Sequence, residues 1–91
     1  MILYRYDIRY VNGKSASDMM LDYHAINLFM KTIPYYIENR YSNISSPHMK
    51  LRYFTGDNVA LLKLRYGSCI RTYEYIIVPE ALTYIEEPRA W

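Results

Sequence analysis

The stretch Met49-Lys50-Leu51-Arg52-Tyr53-Phe54-Thr55-Gly56-Asp57-Asn58-Val59-Ala60-Leu61-Leu62-Lys63-Leu64-Arg65-Tyr66-Gly67-Ser68-Cys69-Ile70 decides how the chain is read. Met49-Lys50-Leu51-Arg52-Tyr53 is echoed by Leu62-Lys63-Leu64-Arg65-Tyr66, and each segment alternates apolar and cationic residues as a half-buried strand does. Gly56-Asp57 and Gly67-Ser68 follow them, and both pairs suit two-residue hairpin turns in which glycine supplies the positive φ. The echo is too short for a structural repeat. It predicts two hairpins and three antiparallel strands over residues 49–77.

Those turns imply a register. Phe54 would oppose Val59, Arg52 would oppose Leu61, and Lys50 would oppose Lys63. Arg65 would then face Ile70, and Lys63 would face Thr72. Leu61 would face Glu74, and Val59 would face Ile76. The other face would gather Met49, Leu51, Tyr53, Ala60, Leu62, Leu64, Tyr66, Tyr73, Tyr75 and Ile77, and a one-residue slip would scramble it.

Upstream, residues 2–11 alternate strictly, with Ile2, Tyr4, Tyr6, Ile8 and Tyr10 on one face and Arg5, Asp7 and Arg9 on the other. That pattern predicts a first strand, ended by Asn12-Gly13-Lys14. Ser15 with Asp18 resembles a capping box, and Ser17 is a rival cap. Met19, Tyr23, Ile26, Met30, Ile33 and Ile37 recur at helical spacing, broadened by Leu21, Leu28 and Phe29. Pro34 lacks an N–H and clashes with the preceding turn, so the block should break into helices at 18–32 and about 34–41. Residues 43–47 read as a polar loop. Pro79 should end the sheet and leave 80–91 as a short turn or packed tail. The expectation is therefore one α+β domain over 1–91 of order β-α(α)-β-β-β, with the helical block on one face of an antiparallel sheet.

Composition narrows the function classes. The net charge of +2 is too small by itself to signal nucleic acid. No apolar run approaches the roughly 18–20 residues of a membrane span, and Met1-Ile2-Leu3-Tyr4-Arg5 lacks a signal-peptide layout. One cysteine, Cys69, allows no internal disulfide and fits a reducing compartment, so a cytoplasmic location is expected. His24 and His48 have no second ligand at metal-site spacing, and Cys69 has no histidine or acid at a spacing that would activate it. Asp18 and Asp22 suit a helix N-terminus without any catalytic role. Two of the three glycines are taken by turns, leaving no phosphate loop. No catalytic residue, metal or cofactor is expected.

The open face of the expected sheet is the candidate partner surface: Arg5, Arg9, Lys50, Arg52, Phe54, Leu61, Lys63 and Arg65. A solvated outer face would also carry such charges. Contiguous exposed apolar groups more often mark an interaction site, however, and Lys50 beside Lys63 is unfavourable by up to about 1 kcal/mol unless an anion is near. Twelve tyrosines serve sheet packing first, but tyrosine and arginine are also the residue types of interface hot spots. A non-enzymatic protein that inhibits or modulates a larger protein or ribonucleoprotein complex is the leading expectation. Nucleic-acid binding, with these cations on phosphates and tyrosines on bases, is the alternative. A small sheet with an exposed apolar strip can also pair edge to edge or face to face, which allows a homodimer.

Two resemblances follow. The expected order of strand, helical block and Lys/Arg/Tyr-rich meander over residues 2–78 resembles RelE-type mRNA endonuclease toxins. It departs from them where Asp18, Asp22 and Glu38 offset Lys31 and Arg40 in the helical block, so no catalytic residue is carried over. In size and in its Tyr, Ile, Asn and Lys content the chain is similar in kind to small phage or mobile-element proteins. Among these, anti-CRISPR and other anti-defence proteins act by occupying a host complex.

Overall fold

A computed structural model describes residues 1–9, 12–44 and 48–86. Strand β1 (Ile2–Ile8) leads through Gly13 into helix α1 (Ala16–Lys31), followed by strand β2 (Tyr35–Glu38), helix α2 (Gly56–Tyr66), strand β3 (Ile70–Ile76) and strand β4 (Leu82–Ile85). Gly13 sits at φ +85°, a backbone that a Cβ disfavours, so glycine makes the reversal. Ser15 caps α1 as expected, its hydroxyl accepting from the Asp18 amide at 3.2 Å.

The fold is α+β with antiparallel pairing throughout. β1 pairs with β3 so that Ile2 faces Ile76 and Ile8 faces Ile70, and β2 pairs with β4 so that Tyr35 faces Ile85. Tyr53 and Phe54 join the two ladders. Phe54 exchanges both main-chain hydrogen bonds with Tyr4, Tyr53 does the same with Tyr36, and all four are 2.8 Å. The resulting layer runs β3, β1, Tyr53-Phe54, β2, β4.

Because side chains alternate along each strand, this pairing sorts them onto two faces. Phe54, Tyr35, Ile37 and Ile70 point inward and pack with Ile26 and Met30 of α1 and Val59 and Leu62 of α2 in one buried cluster. Tyr6 joins them, its ring 6.1 Å from Phe54 and its hydroxyl donating to Asn27 Oδ1 at 3.2 Å. Both helices therefore contribute to the core on one side of the layer.

Several expected elements are different. Residues 56–66 form a helix, so the hairpins at Gly56-Asp57 and Gly67-Ser68, and the pairing of Lys50 with Lys63, are not present. Ala60, Leu61, Leu62, Lys63, Leu64 and Arg65 are all good helix formers, and Val59 is the only β-branched residue in the segment. Val59 and Leu62, three apart, bury one stripe, while Leu64 is 84% exposed. The alternation of Leu62 and Leu64 was therefore no sign of a strand face. Tyr35-Tyr36-Ile37-Glu38 is a strand rather than a second helix; its aromatic and β-branched content outweighs the coincidence that Ile37 extends the α1 stripe. Leu21 and Leu28, expected to broaden that stripe, are exposed.

Met49–Leu51 forms a 3₁₀ turn, with His48 Nδ1 accepting from the Lys50 amide at 3.2 Å, and only Tyr53 and Phe54 act as strand. The expected tail supplies β4. Asn39 holds it there, donating to the Glu80 carbonyl at 2.8 Å and accepting from the Thr83 hydroxyl at 2.6 Å. The ends of the first expected strand (10–11), of the polar loop (45–47) and of the tail (87–91) lie outside the described residues.

Candidate functional site: an aromatic sheet face around Arg5

The helices leave the opposite face of the layer open, and tyrosine dominates it. Register places Leu3, Arg5, Tyr73 and Tyr75 of the β1–β3 ladder on this side, with Tyr53 at the seam and Tyr36, Glu38 and Tyr84 of the β2–β4 ladder. Leu3 is fully covered, yet it lies outside the buried cluster beneath the helices. Tyr73, Tyr75 and Tyr84 remain 45%, 36% and 48% exposed. The rings are organised: Tyr36 and Tyr84 lie 4.7 Å apart, and Tyr53 meets Tyr75 edge to face at 5.5 Å.

Arg5 is the centre of this surface. Its guanidinium lies 3.9 Å from the Tyr53 ring centroid and 5.4 Å from that of Tyr75. Its Nη2 is 3.7 Å from Glu38 Oε1. Glu38 also accepts from the Tyr53 hydroxyl at 2.9 Å and pairs with Arg40 Nε at 3.0 Å. Burial first, and the bond to Glu38 second, push the Tyr53 phenol above its ordinary range. Beside this group a shallow groove of about 210 Å³ is lined by Arg5, Tyr6, Asp7, Lys50, Tyr73 and Tyr75.

Of the residues expected to form the partner surface, this groove brings together Arg5 and Lys50. Arg9, just beyond β1, is exposed and donates its amide to the Cys69 carbonyl at 2.7 Å. Arg52 and Phe54 are buried on the helix side, Arg52 with its guanidinium 4.3 Å from the Tyr35 ring centroid. Burial lowers the Arg52 pKa. Leu61, Lys63 and Arg65 ride on α2, behind the layer, where Arg65 stacks 5.0 Å from the Phe29 ring centroid. The expected single open face is thus divided between two sides of the molecule, because α2 is a helix.

Tyr36, Tyr73, Tyr75, Tyr84 and Glu38 carry the open face over a buried Tyr53, and all six were absent from the sequence-based set. The signal was there in the Tyr73-x-Tyr75 alternation and in twelve tyrosines. Beside a strand at 59–66 those rings would face inward; beside the helix α2 they face outward.

A second polar cluster lies where α1 passes the start of β3. Lys14 Nζ pairs with Asp22 Oδ2 and stands 3.8 Å from Cys69 Sγ, which lies 3.6 Å from the same carboxylate oxygen. The hydrogen bond from Lys14 holds the Asp22 carboxyl below its ordinary range and in turn raises the lysine. Spacing could not reveal this acid beside Cys69, because 47 residues separate them.

Among the described residues no group of three His, Cys, Asp or Glu side chains stands close enough to hold a metal ion, and no helix is long and apolar enough to cross a membrane. No known protein family, curated protein or solved structure matches the chain. The surface therefore has to be interpreted from its own chemistry.

Proposed function

We propose that this chain is a non-catalytic binding protein that engages a larger protein or ribonucleoprotein complex through the open tyrosine face of its sheet, and so inhibits or modulates it. Small phage and mobile-element anti-defence proteins are the functional class it would join. The observation that carries the proposal is the exposure of Tyr73, Tyr75 and Tyr84 beside a stacked arginine. Such rings contribute large contact area at low entropic cost, and tyrosine and arginine dominate interface hot spots. The charges on the face are mixed: Arg5 and Lys50 stand among Glu38 and Asp7. That balance suits a protein partner better than a uniformly anionic strand.

Capture from a host lysate with parallel baits tests the proposal. Tyr73→Ala with Tyr84→Ala should abolish retention of a partner that survives nuclease treatment, and Lys63→Glu with Arg65→Glu on α2 should not. Loss with the α2 pair alone would move the surface to the helix side. Nuclease-sensitive capture, falling steeply with salt, would replace a protein partner by single-stranded nucleic acid stacked on the same rings.

A further inference from the structure

Strand β3 has a free edge. Ile77 and Met1 exchange both main-chain hydrogen bonds, at 2.9 and 3.0 Å, and Arg9 donates to the Cys69 carbonyl at 2.7 Å. Main-chain groups alternate sides along a strand, so those of residues 71, 73 and 75 also point to β1. The N–H and C=O groups of Ile70, Thr72, Glu74 and Ile76 point the other way, and β3 pairs with no strand but β1 among the described residues. The edge is only lightly protected, its charges being Arg71 and Glu74. It holds no proline, glycine or bulge over seven residues, and Ile76 at its end is 82% exposed.

The edge also fits a copy of itself. A two-fold axis through Tyr73, perpendicular to the sheet, sets Tyr73 against the second copy's Tyr73. It sets Arg71 against Tyr75 and Ile70 against Ile76. Thr72 then faces Glu74, and because these even-numbered residues carry the outward groups, they form the hydrogen-bonded pairs. Each cation meets a ring and the carboxylate meets a hydroxyl, while the exposed Ile76 lies against the end of the strand where Ile70 is already buried in its own core. Other registers are poorer. An axis at Glu74 opposes that carboxylate to itself, and an axis at Thr72 leaves Ile76 without a strand residue opposite.

We infer that the chain forms a symmetric homodimer by antiparallel pairing of β3 with β3 of a second copy, in the register centred on Tyr73. The contact is isologous and closes on itself, with β4 at the two outer edges. It leaves the tyrosine rings above the plane of the sheet, so two open faces become one continuous surface. The dimer does not depend on which partner that surface binds. A seven-residue edge is small for a protein interface, so the dimer is weak and its population rises with concentration.

Sedimentation velocity on the full chain from about micromolar to millimolar concentration should show a monomer–dimer equilibrium. Thr72→Pro removes an outward N–H and no bond to β1, so it should yield a monomer with the wild-type circular dichroism spectrum. In a Cys69→Ser background, oxidised Tyr73→Cys should cross-link to itself, because directly opposed non-hydrogen-bonded positions bring Cα atoms to about 4.5 Å. Tyr75→Cys should not, since its neighbour is Arg71. A monomer at every concentration would overturn the dimer, and so would equal cross-linking at both positions. The cross-linking pair keeps the test decisive even if the proline variant fails to fold.

Discussion

Removing Arg5 tests how the open face is held together. Its guanidinium, 3.9 Å from the Tyr53 ring centroid and largely desolvated, should contribute about 1–2 kcal/mol by cation–π attraction. The ion pair with Glu38, at 3.7 Å between side chains 24% and 26% exposed, adds only about 0.5 kcal/mol after solvent screening. Against these stands the buried Arg5 Nε, for which no described residue accepts a hydrogen bond, at a cost of about 1 kcal/mol. Arg5→Met keeps the apolar stem and should therefore destabilise by about 1 kcal/mol, or about 4–8 °C in Tm for a domain of this size. Glu38 is not orphaned by the change, because Arg40 and the Tyr53 hydroxyl still bind it. A double-mutant cycle with Tyr53→Leu, followed by urea unfolding, isolates the stacking and should give a coupling of about 1 kcal/mol. Coupling below about 0.3 kcal/mol, the usual error of additivity, would refute the stacked geometry as a source of stability.

Leu62→Ala, at a fully buried position, should cost about 2–5 kcal/mol, whereas Leu64→Gln should stay within about 0.5 kcal/mol in the same denaturation assay. Large losses at both positions would restore the strand that the alternating sequence suggests. Gly13→Ala should cost about 1 kcal/mol through its backbone at φ +85°, and Asn12→Ala beside it should serve as a control. Asp22 has its folded pKa held below the ordinary 3.8, so its pairing stabilises above that pH and is lost as pH falls through the folded value. Acid titration of stability should accordingly be shallower below about pH 4 in Asp22→Asn than in the natural chain. At the alkaline end, the raised Lys14 pKa makes the same contact a stabiliser that is lost only above the ordinary lysine range.

How far the sequence could be followed depended on whether one element or a distant pairing decided the outcome. β1, α1 and β3 were legible because each states its period over seven residues or more, and Ser15 marks the start of α1. α2 was not, because Leu-x-Leu fits a strand at period two as well as chance spacing on a helix, and glycine before Asp57 suits a turn as well as a first helical residue. β4 was hidden for a different reason. Asn39 fixes it with a carbonyl and a hydroxyl 41 and 44 residues away, a link that no local pattern records. The open face followed from α2. With residues 56–66 helical, Arg52 and Phe54 turn inward, and Tyr73 and Tyr75 lie on the outer surface. Arg5 kept its place because β1 did not depend on the hairpins, whereas Lys50 reaches the groove from the 3₁₀ turn and not from the expected hairpin.

Tyr53 and Phe54 also have a mechanical consequence. Two residues and four hydrogen bonds form the splice between the ladders, and an isolated two-stranded ladder is marginal in water. Neither half is therefore expected to persist once the splice opens, and the amides of Tyr4, Tyr36, Tyr53 and Phe54 should exchange with deuterium at the rate of global unfolding. A partner lying across Tyr75 and Tyr84, over the buried Tyr53, would span the splice like a splint. Its binding would then be felt as slowed exchange in both ladders at once, including strands it never touches.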